Sequence, residues 1–113
     1  MSFNTNVKYS NEENMWIFML EGDMDIYTSD VFKEQAIKSY EEKEADILID
    51  GEKLDYIDST GLGTLIGILK ILQESDHKIY LTNIKPNIRK LFDITELDKL
   101  FNFRGENNEQ WYD

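Results

Sequence analysis

The stretch Asp58-Ser59-Thr60-Gly61-Leu62-Gly63 separates two apolar segments of different character. The segment before it, Ile47-Leu48-Ile49, is short and branched, as in a core strand, whereas Leu65-Ile66-Gly67-Ile68-Leu69 after it fits a hydrophobic helix. The side chain of Asp58 or Ser59 would cap that helix, because the first N–H groups of a helix have no acceptor within it. The stretch therefore predicts a junction from strand to helix that leaves a carboxylate and a hydroxyl accessible.

The same junction is suited to a phosphate group on Ser59. The N-terminal end of a helix is partly positive, so an anion is tolerated there. A phosphoserine in the first turn would benefit from that field. Capping and phosphorylation are compatible, so the residues alone leave open whether the junction is only a cap or also carries a modification.

Composition narrows the class of protein. The chain has 113 residues, enough for one domain with one core, and its 41% apolar content favours folding despite 31% charged residues. It has no cysteine, no apolar run long enough to span a bilayer and no basic, apolar leader. We therefore expect a single cytoplasmic domain over residues 1–113. The formal net charge of −11 argues against nucleic acid and membrane as partners, because both attract clustered lysine and arginine.

Alternating strand and helix patterns predict an α/β domain with a mixed sheet of four to five strands and helices packed on it. The unbroken run Met15–Leu20 predicts a central strand covered on both faces. Phe32, Ala36 and Tyr40 recur at helical spacing. Other expected elements are an edge strand near residues 3–9, strands at 46–49 and 78–84, helices after Ser59 and at Pro86, a closing segment with Leu97, Leu100, Phe101 and Phe103, and a frayed acidic tail over 104–113.

Two glycines interrupt the predicted helix after Ser59. Spacing its residues about 100° apart gives it one inward face. That face holds Leu62, Leu65, Ile66, Leu69 and Leu72, whereas Gly63, Thr64, Gly67 and Ile71 fall elsewhere. Each glycine costs about 1 kcal/mol relative to alanine. Either a neighbouring helix packs closely against them, or they keep the surface flat for a partner.

Enzymatic chemistry has little support in the chain. Its single histidine, His77, lies in a polar segment, and no Gly-x-Ser-x-Gly elbow accompanies it. Asp23, Asp25 and Asp58 are too scattered to predict a metal site, and no glycine-rich phosphate loop of the GxxxxGK[ST] type is present. We expect neither catalysis nor a cofactor.

A receiver domain phosphorylated on aspartate is the sharpest competing interpretation. Asp23, Asp25, Asp58 and Lys85-Pro86 superficially supply its acidic cluster and late Lys-Pro pair. Their order does not fit, because a strand precedes the acidic turn and too few helices separate that turn from Lys85. The pattern therefore argues against a receiver domain.

The chain resembles the bacterial anti-sigma factor antagonists, which are single STAS domains. The resemblance spans nearly the whole chain and rests on three segments in a fixed order. They are Leu20-Glu21-Gly22-Asp23-Met24-Asp25, then Asp50 with Asp58-Ser59-Thr60-Gly61-Leu62-Gly63 eight positions later, then the stretch from Asn87 to Phe101. The second segment is specific when it stands in this order.

What the resemblance implies is a phosphorylation switch. In that family the serine matching Ser59 is phosphorylated by an anti-sigma factor that is also an ATP-dependent serine kinase. The unphosphorylated antagonist binds this partner and frees the sigma factor, and a serine phosphatase restores it. The acidic positions matching Asp23 and Asp58 lie near the serine and support recognition or phosphoryl transfer. Asp23 stands where the family often has Glu, a mild change, and Glu96 stands where many members have Gly, which predicts a different local turn.

We expect the partner to dock around Ser59. The residues expected to take part are Asp23, Asp25, Asp58, Ser59, Thr60, Gly61, Gly63, Thr64 and Gly67. Nothing in the sequence demands a dimer, so the free protein is expected to be a monomer. One alternative is a STAS module with a different partner, such as a scaffold or a regulator of another partner-switching pathway. A more distant alternative is a domain that binds a nucleotide directly.

Overall fold

A computed structural model of the chain describes residues 3–105. Within that range the elements are β1 (Phe3–Ser10), β2 (Met15–Met24), α1 (Ser29–Glu42), β3 (Asp46–Ile57), α2 (Ser59–Gln73), β4 (Ile79–Thr82), α3 (Pro86–Ile94), a 3-10 turn (Leu97–Lys99) and β5 (Asn102–Arg104). The strands form one sheet in the order β1-β2-β3-β4-β5, with β1 antiparallel to β2 and the other neighbours parallel. The predicted mixed α/β sheet is confirmed. The order differs from the 2-1-3-4-5 order of receiver-like doubly wound folds, which agrees with the rejection of that class.

One face of the sheet carries the core. Phe18 pairs in register with Ile49, and Ile49 with Leu81, so the three side chains form a row across β2, β3 and β4. All three are at most 2% exposed. Helix α1 packs on this row, because the ring of Phe32 meets that of Phe18 edge to face at 5.6 Å. Helix α3 packs on the same side, where Phe92 meets Phe103 of β5 at 5.4 Å.

The opposite face of the sheet is only partly covered. Ile17, Leu48 and Tyr80 form the matching row there and are half-buried, while Met19 is 41% exposed. The prediction that Met15–Leu20 is covered on both faces is therefore wrong. An antiparallel edge pair such as β1–β2 tolerates solvent on one face, and within the run only Met15, Phe18 and Leu20 are buried.

Irregular pairing between β2 and β3 positions the loops that follow them. The register shifts between Met19 and Glu21 and again between Gly22 and Asp23, and Gly22 takes a positive φ of 102° that suits glycine. After these shifts Asp23 pairs with Tyr56. The β2–α1 and β3–α2 loops therefore leave the sheet side by side at the same edge.

Helix α2 is buried over a wider arc than the sequence predicts. Leu62, Leu65, Leu69 and Leu72 are buried as expected, but Thr64 and Ile68 are also buried, and Ile66 is only half-buried. The helix contacts both β3 and α1, so it buries more than one stripe. None of the helices in residues 3–105 is long and apolar enough to cross a membrane.

One expectation near the C-terminus is wrong, and the backbone at Glu96 is unusual. Arg104 belongs to β5 and its guanidinium lies 5.5 Å from the ring centre of Tyr80, so it is not part of a tail; residues 106–113 lie outside the described residues. Glu96 adopts a left-handed backbone with a φ of 62°, the region that glycine favours. The expectation that the local turn differs from that of the family stays a prediction. The extent of the single domain, residues 1–113, stays a prediction.

Candidate functional site

Asp58, and not Ser59, caps helix α2. Asp58 has an extended backbone, and its Oδ1 accepts a hydrogen bond from the N–H of Gly61 at 2.9 Å. Ser59 is the first residue of the helix and is exposed, as is Thr60. The helix cap and the candidate phosphorylation site are therefore two different residues. The carboxylate of Asp58 secures the helix end, and Ser59 is exposed to solvent.

Gly61 lets the first turn of α2 approach the sheet. A Cβ at this position would lie 2.5 Å from Cγ1 of Ile57 and 2.8 Å from the carbonyl oxygen of Met24, which real side chains do not tolerate. The N–H of Asp58 donates to the same Met24 carbonyl at 3.3 Å. Gly61 is buried, so its lack of a side chain serves packing, and its part in partner binding stays a prediction.

The other two glycines of α2 are not required by close packing. A Cβ at Gly63 would meet nothing within 4 Å. At Gly67 it would lie 3.3 Å from Nζ of Lys33, the end of a flexible side chain on α1. Close helix packing is therefore ruled out for Gly63, which leaves an open surface one turn beyond Ser59. Thr64 is only 8% exposed, so its side chain adds little to that surface, and its part in partner binding stays a prediction.

The acidic turn between β2 and α1 is held by its own side chains. Oδ1 of Asp25 accepts hydrogen bonds from the N–H groups of Tyr27 and Thr28 at 2.9 and 3.2 Å. The hydroxyl of Thr28 donates to the carbonyl of Asp23 at 2.8 Å, and that of Ser29 donates to the carbonyl of Asp25 at 2.6 Å. The carboxylate of Asp25 therefore has a structural role in this turn. Asp23, half-buried beside Tyr56, lies on the strand next to the one that leads to Ser59.

The structure thus divides the predicted site residues into two groups. Those at or near the exposed edge are Asp23, Asp58, Ser59, Thr60 and Gly63, with the half-buried Gly67 further along α2; those used for packing or turn structure are Asp25, Gly61 and Thr64. We call Ser59, Thr60, Gly63 and Gly67 the Ser59 face. Sequence reasoning missed Ile26 and Tyr27, which are 62% and 85% exposed beside it. The sequence pattern that could have revealed them is an apolar pair within an acidic turn. This pair does not follow the helical spacing of Phe32, Ala36 and Tyr40.

Neither a triad nor a metal centre forms in the described part of the chain. His77 Nδ1 lies 2.8 Å from the hydroxyl of Tyr40, near the C-terminal end of α1, whereas Ser59 begins α2. Burial raises the pKa of Tyr40, and the carboxylates of Glu44, Asp46 and Glu74 act in the same direction against a hydrogen bond from Ser75. Within residues 3–105 no three His, Cys, Asp or Glu side chains converge as metal ligands.

Comparison with known proteins places this architecture in a family. Residues 6–110 match the model of the STAS domain. The chain is 31% identical over 97 residues to the anti-sigma-B factor antagonist of Staphylococcus aureus (strain NCTC 8325 / PS 47), a match that covers 86% of this chain and 90% of that protein. The chain therefore belongs to the STAS domain family.

Solved structures share the fold. The crystal structure of an anti-sigma factor antagonist from Mycobacterium paratuberculosis aligns with a TM-score of 0.76 at 20% identity, over 90% of this chain and 85% of that one. The phosphorylated form of SpoIIAA, a Bacillus cell fate determinant, aligns with a TM-score of 0.70 at 20% identity, over 92% and 94%. The Staphylococcus aureus relative is thus named for antagonising an anti-sigma factor, and the two solved structures share the fold.

Proposed function

We propose that this protein is an anti-sigma factor antagonist in which Ser59 is the phosphorylation switch. The unphosphorylated form binds an anti-sigma factor, which then releases its sigma factor. The proposal rests on the observation that the N-cap of α2 and its exposed serine are different residues. Asp58 caps the helix, so the exposed hydroxyl of Ser59 is available for modification without loss of the cap.

The switch needs two further activities, both supplied by partners. The anti-sigma factor is also an ATP-dependent serine kinase: Oγ of Ser59 bonds to the γ-phosphorus of ATP, the bond to ADP breaks, and the hydroxyl proton passes to a base on the kinase. A serine phosphatase later hydrolyses the phosphate ester with water. The protein itself is not an enzyme in this scheme. We also propose that it is cytoplasmic and that its free form is a monomer.

One phosphate weakens binding strongly if the partner places an acidic group near Ser59. It adds about −1.5 to −2 charges at pH 7. Opposite a single acidic group on the partner at about 6 Å, with an effective dielectric constant near 20, the repulsion is about 4–5 kcal/mol. That corresponds to roughly a thousandfold loss of affinity. The free protein need not refold, because the N-terminus of α2 accommodates the negative charge.

The Ser59 face has the features of a docking surface. Gly63 leaves the helix surface open next to Ser59 although glycine weakens a helix interior, and nothing in the fold of residues 3–105 requires glycine there. Asp23 and Asp58 add negative charge at the same edge, in keeping with the net charge of −11. We therefore expect the partner to place basic groups opposite Asp23 and Asp58 and an acidic group opposite Ser59, where the phosphate would be repelled.

The test uses the purified protein with a kinase-type anti-sigma factor from the same organism. Affinity is measured by calorimetry for the wild type, Ser59→Ala and Ser59→Asp, and phosphorylation is measured by fragment mass spectrometry after incubation with ATP. We expect Ser59→Ala to bind and to resist phosphorylation, and Ser59→Asp to bind at least a hundredfold more weakly. Thr60→Ala is the matched control: Thr60 carries the next hydroxyl along the chain and is also exposed, and this variant should still be phosphorylated at Ser59.

Two results would contradict the proposal. One is phosphate transfer to Ser59→Ala at the rate of the wild type, which would place the switch on another residue. The other is undiminished binding by Ser59→Asp together with undiminished binding by the phosphorylated wild type. In that case the domain would be a STAS binding module that is not controlled at this serine.

Direct nucleotide binding has weaker support. A pocket beside β2 and β3 is lined by Glu21, Asp50, Glu52 and Lys53 among other residues, so three carboxylates and one ammonium would face the phosphates. That balance disfavours an anionic ligand. The pocket also contains none of the predicted site residues.

A further inference from the structure

The loop between β2 and α1 and the first turn of α1 together expose three large apolar side chains. Ile26, Tyr27 and Val31, which we call the tip patch, are 62%, 85% and 52% exposed. With Tyr56, at 50%, they make up four of the eight large apolar side chains that are exposed within residues 3–105. Single exposed apolar residues are ordinary, whereas three within six positions of the chain make a candidate binding surface.

Packing at the start of α1 does not explain why Tyr27 of the tip patch is apolar. Thr28 is the N-cap of α1, so Tyr27 precedes the cap and Phe32 is the fourth helical residue. An apolar residue before a cap often packs on that fourth residue as a hydrophobic staple. Here Phe32 is fully buried and Tyr27 is 85% exposed, so no such staple covers the tyrosine.

The patch is held in place before any partner arrives. The hydrogen bonds from Tyr27 and Thr28 to the carboxylate of Asp25, with that from Thr28 to the carbonyl of Asp23, fix the turn on both sides of Ile26. A loop that is already ordered loses little conformational entropy on binding. An exposed tyrosine on such a loop has the properties of an interface anchor.

The patch is continuous with the edge that carries Ser59. The carbonyl of Met24, two residues before Ile26, accepts the N–H of Asp58 at 3.3 Å and lies against Gly61. A partner that reaches Ser59 therefore also meets this loop. Asp23, Asp25 and Asp30 flank the patch along the chain and make this segment acidic, so a complementary partner has an apolar pocket with a basic rim.

We propose that the tip patch is the anchor by which this antagonist selects its anti-sigma factor: Tyr27 and Ile26 enter an apolar pocket, rimmed by lysine or arginine, on the surface of that partner. The inference rests on the proposed function and adds a determinant of partner choice separate from the phosphorylation switch. Ser59 controls whether the complex forms, and the tip patch controls with which anti-sigma factor it forms.

The experiment compares the double variant Ile26→Ser, Tyr27→Ser with the wild type in calorimetric titrations of the same anti-sigma factor. We expect at least a tenfold loss of affinity with an unchanged midpoint of urea unfolding, since both side chains are exposed. Ile94→Ser is the matched control, because Ile94 is 68% exposed near the end of α3, and it should bind as the wild type does. In a kinase assay the double variant should show a raised KM and an unchanged kcat, because Ser59 itself is intact.

The outcomes separate the two proposals. If the wild type does not bind the anti-sigma factor at all, the proposed function fails. If the wild type binds and the double variant binds equally well, only the tip patch is refuted; Tyr27→Ser alone repeats the test should the double variant be unstable. Sedimentation of the protein alone tests whether a second copy of the chain binds the tip patch instead. A wild-type dimer that is absent in the double variant would make the patch a contact between two copies and would overturn the inference.

Discussion

The carboxylate of Asp58 accepts a hydrogen bond from the N–H of Gly61 at 2.9 Å, across the first turn of α2. Because Asp58 caps the helix, Ser59 is not needed as the N-cap. Both ends of the contact depend on a particular residue type: Asp58 has the acceptor, and Gly61 has no side chain to prevent the turn from lying on Met24. The switch residue is therefore displayed on a helix end that is secured by its neighbours.

The cap can be tested by two substitutions of Asp58. Asp58→Ala should lower the free energy of unfolding by about 1 kcal/mol, because an N–H at the helix start loses its acceptor. Asp58→Asn should stay close to the wild type, since an amide oxygen caps equally well. Urea unfolding of the three proteins measures the difference. Equal destabilisation by both variants would show that charge, and not the hydrogen bond, secures the helix.

Gly63 should reveal a conflict between stability and binding. Gly63→Ala should raise the free energy of unfolding by up to about 1 kcal/mol, because alanine favours the helix and its Cβ meets nothing within 4 Å. The same methyl group should weaken anti-sigma factor binding at a close interface. Urea unfolding and calorimetry on one sample give both values, and a gain in both stability and affinity would contradict a docking role.

Gly61→Ala is the contrasting control for that experiment. Its Cβ would lie 2.8 Å from the backbone oxygen of Met24, so the variant should be destabilised by about 1–3 kcal/mol. A Gly61→Ala variant as stable as the wild type would contradict the close contact between the first turn of α2 and the carbonyl oxygen of Met24.

Glu96 offers a stabilising substitution remote from the cap. Its φ of 62° is costly for a residue with a side chain, so Glu96→Gly should raise the free energy of unfolding by about 0.5–1 kcal/mol, after allowance for the greater freedom of unfolded glycine. Asn83→Gly, at a φ of 57°, should gain less because asparagine tolerates this conformation. Thermal unfolding of both variants measures the gains, and a larger gain at Asn83 would refute the explanation by strain.

Tyr40 should make stability fall at alkaline pH. Because burial raises the pKa of Tyr40 above the ordinary value of 10.0, its contribution is fully present below pH 10.0 and is lost as the pH rises through the folded value. Tyr40→Phe has no such proton, so the advantage of the wild type over this variant should shrink above pH 10.0. Urea unfolding of both proteins at pH 8 and at several values above 10.0 tests this, and a constant difference would contradict it.

Much of the site was predictable because it depends on local order along the chain. The motif from Asp58 to Gly63 predicts a strand, a cap and a helix in succession, and each of these is a property of neighbouring residues. Sequence alone thus determined the α/β class, the position of Ser59 at a helix start and the resemblance to the antagonist family.

Tertiary structure decided which surfaces those residues occupy. Asp58 is distinguished from Ser59 as the cap by side-chain geometry, and Gly61 from Gly63 by what surrounds each one, neither of which periodicity encodes. The half-covered sheet, the burial of Thr64 and the exposure of Tyr27 likewise depend on the packing of α1 and α2 over one face. Local patterns specify elements, whereas exposure depends on contacts between segments far apart in the chain, and those contacts exist only in the folded domain.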